Sequence, residues 1–151
     1  MTQSLSKIYI HLIFHIKTTS PTIRVEDLER VHSYMGQLIN TTRCNVIQVG
    51  GVGDHVHILF LLSKNECISH VVEEVKRNSS RWMKSLAPCY GRFEWQGGYG
   101  AFSVSQSVVG KTLQYIEKQR EHHKRCTFRD EYIEFLNLYG IAYDEKYVFG
   151  D

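Results

Sequence analysis

Two histidines one residue apart, His55 and His57, lie in the run Asp54-His55-Val56-His57-Ile58-Leu59-Phe60. An extended chain turns alternate side chains to opposite faces, so the two imidazoles share one face and Val56, Ile58 and Phe60 the other. Two neutral ring nitrogens side by side on a rigid strand are ready ligands for a divalent cation. An ordinary sheet surface can carry such a pair, and short motifs recur by accident. A second stretch, residues 111–119, narrows the choice. It reads as helix, with Tyr115 and Gln119 one turn apart on one face. Val109, Leu113 and Ile116 form a neighbouring apolar stripe that anchors it. Tyr115 falls off that stripe, among Lys111, Lys118, Gln119 and His122, where its hydroxyl would be free to react.

A chain of 151 residues is one domain with room for a real core. Its charged and apolar fractions are those of an ordinary folded protein, and no apolar run is long enough to span a bilayer. The start lacks a basic segment followed by an apolar one, so a cytoplasmic protein without membrane contact is expected. Cys44, Cys67, Cys89 and Cys126 are scattered without paired spacing, which suggests neither a zinc knuckle nor a disulfide framework. The net charge of +2 says little, but its distribution says more. Lys76, Arg77, Arg81, Lys84 and Arg92 follow one another with no acidic residue between, and a second basic group surrounds the tyrosine helix. With Trp82, Tyr90, Phe93, Trp95 and Tyr99 interleaved, such patches suit a phosphate backbone with unpaired bases to stack; solvated helix faces are the plainer alternative.

Residues 7–16 alternate as a first strand, with Ile8, Ile10, Leu12, Phe14 and Ile16 on one face. From Val25 the period becomes helical through Leu28, Val31, Met35, Leu38 and Ile39. Residues 45–49 form a second strand, and Gly50, Gly51 and Gly53 allow a tight reversal into the histidine strand. A second helix buries Ile68, Val71, Val72, Val75, Trp82, Met83 and Leu86 and stops at Pro88. Residues 93–105 read as a fourth strand, the tyrosine helix runs to about 124, and a short amphipathic helix covers 131–139. The expected fold is α+β: a ferredoxin-like β-α-β-β-α-β antiparallel sheet with added C-terminal helices. The sheet and its helices would occupy about residues 5–104, the tyrosine helix 105–124 and the remainder 125–151. In that topology the first and third strands are central, both helices lie on one face, and His55 and His57 look out from the other with His11 and His15 nearby.

The pieces Asp54-His55-Val56-His57, Trp95-Gln96-Gly97-Gly98-Tyr99-Gly100-Ala101-Phe102-Ser103-Val104-Ser105, Tyr115-Ile116-Glu117-Lys118-Gln119 with His122-His123, and Tyr9-Ile10-His11 together resemble the single-tyrosine HUH transposases of small bacterial insertion sequences, the TnpA type. The resemblance runs nearly end to end. It implies that His55 and His57 bind Mg²⁺ or Mn²⁺, with Gln119 completing the protein ligands. Tyr115 would attack a DNA phosphodiester to give a 5′-phosphotyrosine and a free 3′-OH. His11, Lys111 and His122 would be neighbours of the site, contacting phosphate or protons. The implied substrate is single-stranded DNA folded into a hairpin, with Lys76, Arg77, Arg81, Lys84 and Arg92 as candidate contacts. The implied assembly is a homodimer whose tyrosine helices complete one another's sites. A relative acting on repeated genomic hairpins would share this chemistry. An RRM-like binder would share the topology, but it needs base-stacking aromatics where His55 and His57 stand.

Overall fold

The computed structural model describes residues 2–151. Four strands form one antiparallel sheet: β1 (Ile8–His15), β2 (Asn45–Val52), β3 (His55–Leu62) and β4 (Gly100–Val104), in the order β2-β3-β1-β4. β1 and β3 are central neighbours, as the topology requires. Helices α1 (Leu28–Thr41) and α2 (Ile68–Leu86) cover one face. There Leu12, Phe14, Val56, Ile58 and Phe60 meet Val31, Met35, Ile39, Val71, Val75 and Met83 in the main core. Burial of such side chains contributes roughly 1.5–3 kcal/mol each and dominates the stability. α2 ends where Pro88 holds Ala87 in extended backbone.

Two departures from the expected elements bear on the site. β2 continues through Gly50 and Gly51 to Val52, and the reversal into β3 is only Gly53-Asp54. The fourth strand is shorter than the composition of 93–105 suggests. A regular ladder would bring Ile16 opposite Gly97, but Ile16 bridges Trp95, so two extra residues loop out before β4 begins. The loop is held by side chains: Trp95 donates Nε1–H to the buried Ser79 Oγ at 2.9 Å, and Lys76 Nζ donates to the carbonyls of Gln96 and Gly98 at 2.7 and 2.5 Å.

The other face of the sheet is covered by the chain beyond β4. α3 (Val109–Glu117) and a single turn, α4 (Gln119–His122), lie over β2 and β3; α5 (Phe128–Leu138) lies over β1 and β4; α6 (Glu145–Phe149) closes the chain. The tyrosine helix is therefore broken at Lys118 instead of running on to 124, and the last amphipathic helix starts three residues before Glu131. Thr127 caps α5, its side chain accepting from the Asp130 amide. Among the described residues no helix is long and apolar enough to cross a membrane.

Candidate active site

The two helical covers leave a narrow strip of sheet between them, and the histidines lie in it. Ile116 packs on Tyr9 and Leu59 on one side. On the other, Phe128, Tyr132 and Leu136 pack on Ile13 and Phe102. Two glycines let the helices come this close: a Cβ on Gly50 would run into the Ile116 carbonyl, and one on Gly100 would lie 2.7 Å from the Tyr132 hydroxyl. Each glycine thus seats one side of the site, Tyr115 through α3 and Glu131 through α5.

His55 and His57 are fully buried beneath these helices. His55 donates Nδ1–H to Asp54 Oδ1 at 2.8 Å, and its Nε2 faces Gln119 Oε1 at 3.0 Å. His57 Nδ1 lies 2.7 Å from His11 Nε2, while its Nε2 lies 2.9 Å from Glu131 Oε1. Glu131 is the centre of the arrangement although only 2% of it is exposed. Its Oε1 also lies 3.3 Å from His123 Nε2 and 3.6 Å from His55 Nε2. Its Oε2 accepts from the Tyr115 hydroxyl and from Gln119 Nε2 at 3.2 Å, and lies 3.1 Å from His122 Nε2.

Burial sets the electrostatics. It lowers His11 to about 3 and His57 to about 4, the second against the raising pull of Glu131, so both rings are neutral at pH 7. Burial would also raise Glu131, but hydrogen bonds from His123 and His57 outweigh it and hold the carboxyl far below the usual range. Tyr115 is pushed above the ordinary phenol value, first by burial and then by the Glu131 carboxylate that accepts its proton. Contrary to the expected free hydroxyl on a polar face, Tyr115 is half-buried and its proton is held.

Of the residues singled out from the sequence, His11, His55, His57, Tyr115, Gln119 and His122 come together in one chain. His15 shares their face but turns away, in contact with the carbonyls of Ile16 and Val148. Lys111 is exposed on the first turn of α3. On α2, Lys76 is committed to the 96–98 loop, and burial lowers its pKa to about 8. Arg77 pairs with Glu73 and Glu74, whereas Arg81, Lys84 and Arg92 are exposed. Beside Tyr115 a cleft of about 460 Å³ is lined by Lys118, Glu121, His122, Lys124 and Arg125.

Glu131 and His123 were not among the expected site residues. A signal for Glu131 existed: it occupies the third position after Phe128 on the apolar stripe Phe128, Tyr132, Phe135, Leu136, where a carboxylate needs a partner. The ligand atoms of His55, His57, His123 and Glu131 lie within 4.8 Å of one another, and this donor set can hold a metal ion.

The sequence pattern of the family described as "Transposase IS200 like" matches residues 4–119, which include the histidine pair, Tyr115 and Gln119. No curated protein matches the chain. Among solved structures, one from Deinococcus radiodurans R1 that is described as a candidate transposase aligns with a TM-score of 0.60 at 23% identity, covering 79% of this chain and 98% of its own. A REP-associated tyrosine transposase bound to a REP hairpin aligns with a TM-score of 0.58 at 10% identity, covering 82% and 74%. At such identities these likenesses speak for the fold. With the pattern matched over most of its length, the chain belongs to the family of IS200-like transposases.

Proposed function

We propose that this chain cuts and rejoins single-stranded DNA through Tyr115, at hairpin-bearing ends of an insertion sequence. The observation that carries this reading is the meeting of a tyrosine hydroxyl, a carboxylate and a pair of buried histidines on the covered face of one sheet. His55, His57 and Gln119 would hold Mg²⁺ or Mn²⁺. When bound, such a cation polarises the scissile phosphodiester and stabilises the departing 3′ oxygen. Tyr115 Oη attacks phosphorus in line; its bond to phosphorus forms as the bond to the 3′ oxygen breaks, leaving a 5′-phosphotyrosine and a 3′-OH. Because the phenol is protonated at neutral pH, its proton must leave during the attack, and Glu131 Oε2 is the acceptor already in contact. The covalent link keeps the energy of the broken bond, so rejoining needs no nucleotide.

Single-stranded DNA would reach Tyr115 along the cleft bearing Lys118, Lys124 and Arg125, whose cations suit phosphates. The solved relative bound to a REP hairpin supports a folded strand as substrate. It also favours a second reading, in which the chain acts on repeated genomic hairpins. A homodimer remains part of the proposal, although one chain already brings the phenol to the histidines. Tyr115→Phe should abolish nicking of a labelled hairpin strand and leave its binding intact in a gel-shift assay. Undiminished nicking by that variant removes Tyr115 as nucleophile.

A further inference from the structure

The proposed function calls for a cation, and on that reading the placement of ring nitrogens and carboxylate oxygens says which residues hold it and which ion they prefer. His55 gives its Nδ1–H to Asp54, and His123 gives its own to the Cys126 carbonyl at 2.7 Å. Both contacts turn Nε2 of the ring toward the centre of the site, where it can serve as a ligand once it carries no proton. Each points at Gln119 Oε1, at 3.0 and 2.9 Å, which is another acceptor. Turning the Gln119 amide over gives no relief, because its oxygen would then face Glu131 Oε2 and the Tyr115 carbonyl, where Nε2 now donates. Acceptors that confront acceptors in a buried space require positive charge among them. Ring protons such as the one His123 gives to Glu131 supply it, and a divalent ion takes their place when it binds.

The spacing agrees. Glu131 Oε1 stands 2.9, 3.3 and 3.6 Å from Nε2 of His57, His123 and His55. Ligand atoms about 2.1 Å from a first-row divalent ion lie roughly 3.0–3.4 Å apart. Hydrogen bonds behind His55 and His123 fix both rings, as outer partners do in metal centres. Both His123 and Glu131 lie beyond residues 4–119, so the family pattern does not assign them.

We infer that His123 and Glu131 join His55, His57 and Gln119 as cation ligands, and that a set with three imidazoles and one carboxylate selects a first-row transition ion such as Mn²⁺ over Mg²⁺. Mg²⁺ demands oxygen donors and keeps its waters, whereas imidazole suits the transition ions. The order of affinity should be Mg²⁺ weakest, Mn²⁺ intermediate and Zn²⁺ tightest.

The test is Mn²⁺ titration of the intact protein followed by electron paramagnetic resonance, on the unaltered chain and on Glu131→Gln, His123→Ala and His57→Ala. Circular dichroism melting checks that each variant is folded. One Mn²⁺ should bind per chain, each substitution should weaken it about tenfold or more, and Mg²⁺ in roughly hundredfold excess should not displace it. Unchanged Mn²⁺ affinity in folded Glu131→Gln and His123→Ala overturns the assignment, as does displacement by equimolar Mg²⁺. Should those variants not fold, nitrogen couplings on Mn²⁺ in the unaltered chain decide: three imidazoles support the site, and two or fewer overturn it. The nuclease reading fails separately. Tight Mn²⁺ binding without any covalent DNA adduct sinks that reading and leaves the site. Adduct formation with unaltered affinity in the ligand variants does the reverse.

Discussion

Tyr115 and His57 illustrate how much a single residue owes to its surroundings. The histidine is neutral because it is buried, and neutrality would let it serve as a ligand instead of a competing cation. The phenol is held protonated until something takes its proton. A double variant, His55→Ala with His57→Ala, should therefore lose metal-dependent nicking while still binding a hairpin, and EDTA should stop the unaltered protein. Nicking that persists in EDTA would remove the cation from the account. At this scale His55, His57, Tyr115 and Gln119 were legible because alternation and helical spacing place each on a definite face. Glu131 was not. An acidic residue near a helix start reads as a partner for the helix dipole, and that reading hides its place on the apolar stripe that packs α5 against the sheet.

The tyrosine helix and α5 are brought to the histidines by contacts that need bare backbone beneath them. Gly50→Ala would push Ile116 and the last turn of α3 off β2. The expected cost is about 1–3 kcal/mol from overpacking, with a lowered melting temperature and a sharper loss of nicking, since Tyr115 sits one residue before the displaced carbonyl. A variant with unaltered melting and nicking would show that this close approach does not position the phenol. The strands and the two core helices follow from period two and helical spacing, so their faces were foreseen. The extent of β4 was not, because aromatic and glycine-rich sequence at 93–99 fits a strand by composition. The Ser79 and Lys76 side chains that hold this segment as a loop come from a distant helix.

For the molecule as a whole, a tether under the core holds the first helix to the far end of the second. The buried Tyr90 hydroxyl donates to Asp27 Oδ2 at 2.5 Å and accepts from the Arg24 amide at 3.0 Å. The Tyr90 hydrogen bond, with Arg24 assisting, holds the Asp27 carboxyl below its ordinary range. A carboxylate lowered on folding stabilises the native state above its unfolded pKa of about 3.9, and that contribution is lost as pH falls through the folded value. The unaltered chain should thus exceed Asp27→Asn in urea resistance near neutral pH, and the gap should close on acidification below about pH 4. A gap that does not change with pH would contradict the tether.

On the proposed mechanism one phenol forms the covalent bond to DNA. A labelled single strand carrying an element's hairpin end, incubated with Mn²⁺ and resolved on a denaturing gel, should give a protein–DNA adduct. Mass spectrometry of its peptides should find the nucleotide on Tyr115. Cleavage without any adduct, or a nucleotide attached to another residue, would contradict the account.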